Sequence, residues 1–193
     1  MRKYKSRRSP ARVVAALFST LLILAGLVII GYSLLIQDPL AFTALFGPDT
    51  PKESTMTLTI PDMKHVDEVP VYDGPANDKA ALHDGALHLN ETGFPWQQGS
   101  NVYIAGHRLG FPGTKSYLVF WDLNELEDGD QVVLADANGT RYTYEVFKKF
   151  VVAPDEYYVT QPVSGSSIVT LQTCTLPNYS DRLIVQAELT SVS

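Results

Sequence analysis

Residues 166–189 read SSIVTLQTCTLPNYSDRLIVQAEL. The apolar, β-branched run 168–173 ends at Cys174, and a second apolar run, 183–189, begins directly after Arg182. A turn-rich segment separates the two runs, so the pattern predicts two adjacent strands with Cys174 and Arg182 at facing ends. The stretch therefore puts a thiol and a guanidinium on one rim of the folded domain.

Cys174 is the only cysteine of the 193-residue chain and has no partner for an internal disulfide. A lone cysteine is by default a small buried hydrophobe, whereas a thiol beside a cation is readily ionised and nucleophilic. Arg182 by itself is typical of a surface ion pair, with Asp181 or Glu188 as the partner. From these residues alone, Cys174 can have either a structural or a reactive role.

The histidines supply a candidate acid–base group for the thiol. His107 follows an apolar strand and a glycine in NVYIAGHR, a strand-end position where functional side chains concentrate. His65 lies in a charged segment and is expected to be exposed, and His83 lies on a predicted short helix. His88, in the segment GALHLNETG, is expected to be structural or to line a site. Because no HExxH pattern occurs, catalysis by a Cys/His pair is favoured over metal binding as the role of these histidines.

The pattern from residue 56 onward is mainly that of short strands. A short helix is predicted over residues 77–83 with Asn77 as its cap, a single helical turn over 120–126, and irregular structure over 84–100. The Asn138-Gly139 pair predicts a hairpin turn. About eight strands favour a closed barrel or a sandwich. The predicted strands are residues 57–60, 69–72, 101–105, 131–135, 141–152, 157–160, 168–173 and 183–189.

The N-terminal part of the chain has the pattern of a membrane anchor. Residues 1–12 carry six basic residues and no acidic one, and residues 13–36 are uncharged and almost wholly apolar. Roughly 20 apolar residues suffice to span a bilayer, and no small-residue cleavage site follows, so an uncleaved signal anchor is predicted. Basic flanks stay cytoplasmic, which puts residues 37–193 outside the cell. Residues 37–55, with three prolines, are predicted to form a linker.

Composition excludes several classes of function. The net charge is −6, and because residues 1–12 contribute +6, the other 181 residues carry −12. An acidic body argues against a nucleic-acid partner. The sequence contains neither GxSxG nor a glycine-rich phosphate loop, which argues against a serine hydrolase of that type and against nucleotide binding.

Three motifs in this order resemble those of the sortases. TLQTC, with Arg182 eight residues after the cysteine, looks like the family's TLxTC…R signature. NVYIAGHR, whose histidine stands 67 residues before the cysteine, is similar to the family's His strand, and FWDLNELEDGDQVVL is similar to a further family segment. The resemblance covers residues 56–190. TLQTCT and LGFPGTKSYLVFWDL look most like the class E sortases of high-GC Gram-positive bacteria.

This resemblance implies a mainly β fold, a closed eight-stranded barrel with short helices over residues 56–193, preceded by the transmembrane helix 13–36. It implies a cysteine transpeptidase that forms an acyl-thioester on Cys174. His107 would act as acid and base, Arg182 would hold the substrate and the oxyanion, and Thr173 would add a donor to the oxyanion hole. No cofactor or metal is implied.

The implied substrates are secreted proteins with a C-terminal LPxTG or LAxTG sorting motif, cut between Thr and Gly and joined to a cell-wall precursor amine such as lipid II. Three alternatives stay open: a pilin-polymerising sortase, a membrane-tethered cysteine hydrolase that uses water, and a non-catalytic envelope domain. No second apolar span follows the last strand, which favours general anchoring of surface proteins. Residues 37–55 are also a candidate lid over the site.

Overall fold

The computed structural model describes residues 19–29, 32 and 50–193. Within residues 50–193 eight strands form a closed barrel: β1 (Met56–Thr59), β2 (Val69–Gly74), β3 (Ala86–Leu89), β4 (Asn101–Ala105), β5 (Gln131–Asp136), β6 (Arg141–Val152), β7 (Ile168–Cys174) and β8 (Arg182–Val192). Around the barrel their order is β1-β2-β3-β4-β7-β8-β6-β5. The pairs β2–β3 and β4–β7 are parallel, and the other neighbours are antiparallel. This arrangement confirms the closed eight-stranded barrel that the resemblance implies for residues 56–193 and removes the sandwich alternative.

Alternation along the strands divides the apolar side chains into two clusters. Val102 and Ile104 of β4 are fully buried in the inner cluster, whereas Tyr103 between them belongs to an outer cluster with Val159 and Ile184. Burial of one such aliphatic side chain contributes about 1.5–3 kcal/mol, so the inner cluster is the main source of stability. Other members of the inner cluster are Leu58, Val71, Leu134, Tyr144, Leu171 and Val185.

The prediction of a strand over residues 157–160 was wrong. Tyr157–Thr160 is a 3-10 helix, η2, in which Val159 alone is buried and Tyr157 and Tyr158 are 74% and 58% exposed. Aromatic and β-branched residues gave the segment a strand-like composition. Its carbonyl groups bind a side chain instead of a neighbouring strand, because Asn101 Nδ2 donates to Val159 O at 2.9 Å and to Gln161 O at 3.0 Å.

The strand β3 was not predicted, because residues 84–100 were expected to be irregular. Its sequence ALHL is short and has no polar–apolar alternation, since Ala86, Leu87 and His88 are all buried. β3 pairs in parallel with β2, so that His88 lies opposite Asp73. An interior strand buried on both faces gives no period-two signal.

The other elements lie close to their predicted positions. The short helix Lys79–Asp84 begins two residues later than expected, and its cap is Asp78, whose side chain accepts from Ala81 N at 3.0 Å, not Asn77. The predicted turn within residues 120–126 is a second 3-10 helix, η1 (Leu123–Glu125). The β5–β6 hairpin is confirmed, with Gly139 at φ 85° in its turn.

The chain divides between Gly47 and Pro48 into two units, which are described separately. In the first unit, residues 19–29 and 32 are helical. No helix in the described ranges, 19–29, 32 and 50–193, has both the length and the apolar character that crossing a membrane requires. The predicted basic tail 1–12, half of the predicted span 13–36 and the linker residues 37–49 lie outside the described residues.

The described end of the predicted linker lies far from Cys174. Thr50, Lys52 and Glu53 line a depression together with Ala137 and Asn138 in the β5–β6 turn. That turn is at one end of the twelve-residue strand β6, and the pair Val152↔Arg182 is at the other. Residues 50–53 therefore do not cover the rim that carries the cysteine.

We expect Asn101→Ala to lower the free energy of unfolding by about 1–3 kcal/mol, because it leaves buried carbonyl groups without a donor. The same change is expected to loosen η2, which Asn101 holds against β4. Urea unfolding measures the first effect and amide hydrogen exchange at residues 157–161 the second. Asn178→Ala, at an exposed loop position, is the matched control. Equal unfolding free energies for the two variants would contradict this role.

Candidate active site

Strand register brings Cys174, Arg182 and His107 to one rim of the barrel. Cys174 and Arg182 are the last pair of the β7–β8 ladder. In the parallel ladder β4–β7, Ala105 lies opposite Gln172, and Gly106 N donates to Gln172 O at 3.0 Å. His107 thus stands two residues beyond Ala105, as Cys174 stands two residues beyond Gln172. The predicted adjacency of the two C-terminal strands is confirmed.

The three side chains open into a cleft of about 410 Å³, called the main cleft below. The register of β4, β7 and β8 places the thiol, the imidazole and the guanidinium together at the rim end of the main cleft. The remainder is largely apolar and runs along the outer side of β4 beneath η2. It is lined by Ala76, Leu82, Leu87, Leu89, Tyr103, Ala105, Gly106, His107, Val152, Ala153, Pro154, Glu156, Tyr157, Val159, Thr160, Gln172, Cys174 and Arg182.

His107 is half-buried, and its Nε2 is a buried atom with no hydrogen-bond partner among the described residues. Burial lowers the pKa of His107, and the nearby His83 lowers it further. A lowered pKa favours the neutral ring near pH 7, and a neutral ring can accept a proton. His107 therefore has the ionisation state of a general base, and no group in residues 50–193 is hydrogen-bonded to its Nε2.

The chain before His107 requires glycine. A Cβ at Gly106 would lie 2.6 Å from Cδ2 of Phe120 and 2.9 Å from Cγ1 of Val119. Phe120 N also donates to His107 O at 2.9 Å. The sequence Ala-Gly-His thus lets the chain pass against the buried Phe120 ring, which fixes the main chain of the histidine.

Thr173 is fully buried, and its Oγ1 donates to Gly106 O at 2.8 Å. This bond joins the ends of β7 and β4, directly beside Cys174 and His107. The expectation for Thr173 was a hydroxyl or main-chain donor to an oxyanion. In this structure the hydroxyl proton is engaged with Gly106, so the side chain holds two strand ends together.

Arg182 is held by main-chain carbonyl groups. Its Nη1 donates to Asp181 O at 3.1 Å and to Tyr179 O at 3.3 Å. Within residues 50–193 no carboxylate forms an ion pair with it, so the alternative of an ion pair with Asp181 or Glu188 is not what the structure has. Because neutral carbonyl groups orient the guanidinium, its positive charge is not neutralised and can interact with a ligand in the cleft.

Tyr103 and Gln172 are cleft residues that the sequence pattern did not single out. Tyr103 Oη donates to Gln172 Oε1 at 2.7 Å, and both residues line the main cleft together with Arg182. Burial raises the pKa of Tyr103, and the Arg182 charge offsets part of that rise, so the phenol stays protonated. Alternation along NVYIA places Tyr103 on the same face of β4 as Ala105. This alternation is the sequence signal that could have indicated Tyr103 as a cleft residue.

Two further histidines have distinct places. His88, expected to be structural or to line a site, is fully buried, with Nδ1 2.9 Å from Asp73 Oδ1 and Nε2 3.0 Å from Gly93 O. Both ring nitrogens thus face acceptors inside the domain, and His88 is structural. The His83 ring centroid is 6.0 Å from that of His107, and the exposed Phe111 packs edge-on to both rings.

His65 is exposed, as expected. Within the described ranges, no group of three or more His, Cys, Asp or Glu side chains is arranged to hold a metal ion.

The family model "Sortase domain" matches residues 58–190. The chain belongs to the sortase family. A curated relative, sortase A of Streptococcus agalactiae serotype III (strain NEM316), is 31% identical over 134 residues, which cover 68% of this chain and 51% of the relative. This sortase chain therefore spans about half the length of the curated relative that it matches.

Solved sortases share the fold. Sortase A from Corynebacterium diphtheriae is 26% identical, with a TM-score of 0.63 over 75% of this chain and 64% of that one. Sortase C-1 from Actinomyces oris is 30% identical, with a TM-score of 0.61 over 70% and 73%. The pilus-related sortase C of Group B Streptococcus is 26% identical, with a TM-score of 0.63 over 74% and 70%. The barrel of this sortase is thus similar to those of both sortase A and sortase C proteins.

We expect His83→Gln to raise the pKa of His107, because it removes a neighbouring positive charge that opposes protonation of the ring. The pKa stays below the ordinary histidine value, since burial is the larger cause of its depression. An NMR titration of the imidazole signals, assigned with His107→Gln, measures the change. His65→Gln, at an exposed position, is the control and leaves the His107 titration unmoved. An unchanged pKa in His83→Gln would show that the two rings are not coupled.

Proposed function

We propose that this sortase is a membrane-anchored cysteine transpeptidase. The single observation that carries the proposal is the register of β4, β7 and β8, which brings Cys174, His107 and Arg182 into one cleft. A thiol, a base with a depressed pKa and a cation with no carboxylate partner in residues 50–193 are groups suited to acyl transfer through a thioester.

In the first half-reaction His107 takes the proton of the Cys174 thiol, and the sulfur attacks the carbonyl carbon of the scissile amide. Arg182 stabilises the negative charge that develops on the carbonyl oxygen. The C–N bond then breaks, His107 gives its proton to the departing amine, and the acyl group remains on sulfur as a thioester. The neutral resting state of His107 suits it to accept the proton at the start.

In the second half-reaction an incoming amine attacks the thioester carbonyl. His107 accepts the amine proton, the C–S bond breaks, and the sulfur takes that proton back from His107. A new amide has formed and the thiol is restored, so the cycle needs no cofactor. Thr173 contributes by holding the ends of β4 and β7 together through Gly106.

We infer that the substrates are secreted proteins with a C-terminal sorting motif of LPxTG or LAxTG type, cleaved between Thr and Gly. The apolar length of the main cleft suits a motif whose first two residues are apolar. The family membership supports this substrate class, and the resemblance of TLQTCT and LGFPGTKSYLVFWDL supports the class E assignment.

The proposed site of action is the outer surface of the cell membrane, with residues 13–36 as a single-pass anchor and the basic tail 1–12 in the cytoplasm. The apolar sequence supports this, as do the exposed apolar side chains of the described helical residues 19–29. Tethering confines the enzyme to the surface where its substrates emerge and where a lipid-linked amine such as lipid II resides, which raises their effective concentration. General anchoring of surface proteins is proposed ahead of pilin polymerisation.

The test uses fluorescent peptides containing LPxTG or LAxTG, with and without a glycine-based amine. We expect cleavage between Thr and Gly and a ligated product that increases with amine concentration. Cys174→Ala should abolish both products. Arg182→Lys should lower kcat/KM at least about tenfold, because an ammonium cannot replace the planar donor array of a guanidinium.

Arg141→Lys, at the opposite end of β6, is the matched control and is expected to leave kcat/KM unchanged. If saturating amine yields only hydrolysed peptide, the protein is a hydrolase and the transpeptidase proposal fails. Cleavage that persists in Cys174→Ala would remove the thioester mechanism itself.

A further inference from the structure

A second cleft of about 350 Å³ adjoins the main cleft and is called the side cleft here. Leu89, at the end of β3, and Thr160, at the end of η2, line both clefts. The two cavities are therefore consecutive, with the end of the main cleft that is remote from Cys174 opening towards the side cleft.

The strand β4 gives the distance from the rim that carries Cys174 to the side cleft. His107, Ala105 and Tyr103 line the main cleft, and Asn101 lines the side cleft. From His107 back to Asn101 is six residues, or roughly 20 Å at the rise of a strand. An extended four-residue segment covers only about 13–14 Å. A peptide whose scissile carbonyl lies at Cys174 therefore fills the main cleft with its motif and reaches the side cleft with the residues beyond it.

The position of His107 fixes the direction of this peptide. Under the proposed function His107 protonates the leaving amine, so the part of the substrate after the scissile bond departs over the rim. The acyl part remains attached to Cys174 and extends along β4 towards Leu89 and Thr160, where the main cleft meets the side cleft. The segment that reaches the side cleft is thus the one upstream of the sorting motif.

The side cleft differs chemically from the main cleft. Its walls carry amide and hydroxyl groups, and its single charged lining residue is Glu91. Glu91 is exposed and has no ion-pair partner within residues 50–193. Such walls suit a polar segment, and an unpaired carboxylate favours a basic residue over an acidic one.

The walls of the side cleft are held in place before any ligand binds. Ser100 Oγ donates to Phe94 O at 2.8 Å, and Gly99 N donates to Ser167 Oγ at 2.8 Å. Asn101 fixes the opposite wall through Val159 O and Gln161 O. A preformed site loses little conformational entropy on binding, which makes a surface cleft of this size useful for recognition.

We propose that the side cleft binds the polar segment immediately upstream of the sorting motif in the protein substrate, with Glu91 pairing with a lysine or arginine in that segment. This inference rests on the proposed function. The enzyme then recognises a sequence longer than the motif. The motif binds in the main cleft, and the residues before the motif bind in the side cleft.

The experiment uses peptides with the motif LPSTG or LASTG. Each motif is tested without an extension, with an upstream Ser/Gln tetrapeptide, and with the same tetrapeptide carrying one Lys or one Glu. We expect the Lys peptide to have a kcat/KM about threefold above the Glu peptide at low salt, through KM, as for an exposed ion pair. Glu91→Gln should remove this preference, and Glu91→Lys should reverse it. Glu145→Gln, at an exposed position of β6 outside both clefts, is the matched control and keeps it.

The outcomes separate this inference from the proposed function. If unextended peptides acylate Cys174 but neither extension nor the Glu91 variants alter KM, the side cleft is not a substrate site and this inference is overturned. If no peptide of any length reacts with Cys174, the proposed function itself fails.

Discussion

The parallel pairing of β4 with β7 is the constraint on which the site depends. It aligns two strand ends whose functional residues, His107 and Cys174, are 67 positions apart in the chain. The antiparallel β7–β8 pairing then adds Arg182 to the same rim. A slip of one residue in either ladder would turn the site residues to the opposite face of the sheet. The hydrogen bond from Thr173 to Gly106 O and the close passage of Gly106 against Phe120 secure this register.

The electrostatics of the rim follow from what surrounds each group. Burial and the nearby His83 hold the pKa of His107 down, and this favours the neutral ring that accepts a proton from the thiol. Arg182 is oriented by main-chain carbonyls, and no carboxylate in residues 50–193 neutralises it. A base that is neutral at rest and a cation that stays unpaired are suited to stabilise a transient oxyanion. The absence of a second cysteine fits the same picture, because Cys174 has no partner within the chain for an internal disulfide.

The sequence predicted the elements whose signals are local. β4 and β6 were found at their observed bounds because apolar runs end at clear turns, and the β5–β6 hairpin was found through Asn138-Gly139. The strand β3 and the helix η2 were missed because their state is set by tertiary partners, Asp73 for His88 and Asn101 for the carbonyls of η2. Tyr103 was likewise missed as a cleft residue and His83 as a neighbour of His107, since only the folded domain brings these side chains together.

The central claim is that the substrate becomes attached to the sulfur of Cys174. Intact-mass spectrometry of the protein, quenched in acid after incubation with a sorting peptide and without amine, tests it directly. The account predicts a mass increase equal to the acyl fragment that ends in threonine, located on Cys174 by peptide mapping, removed by hydroxylamine and absent from Cys174→Ala. Turnover without any adduct on Cys174, or an adduct on another residue, would contradict it.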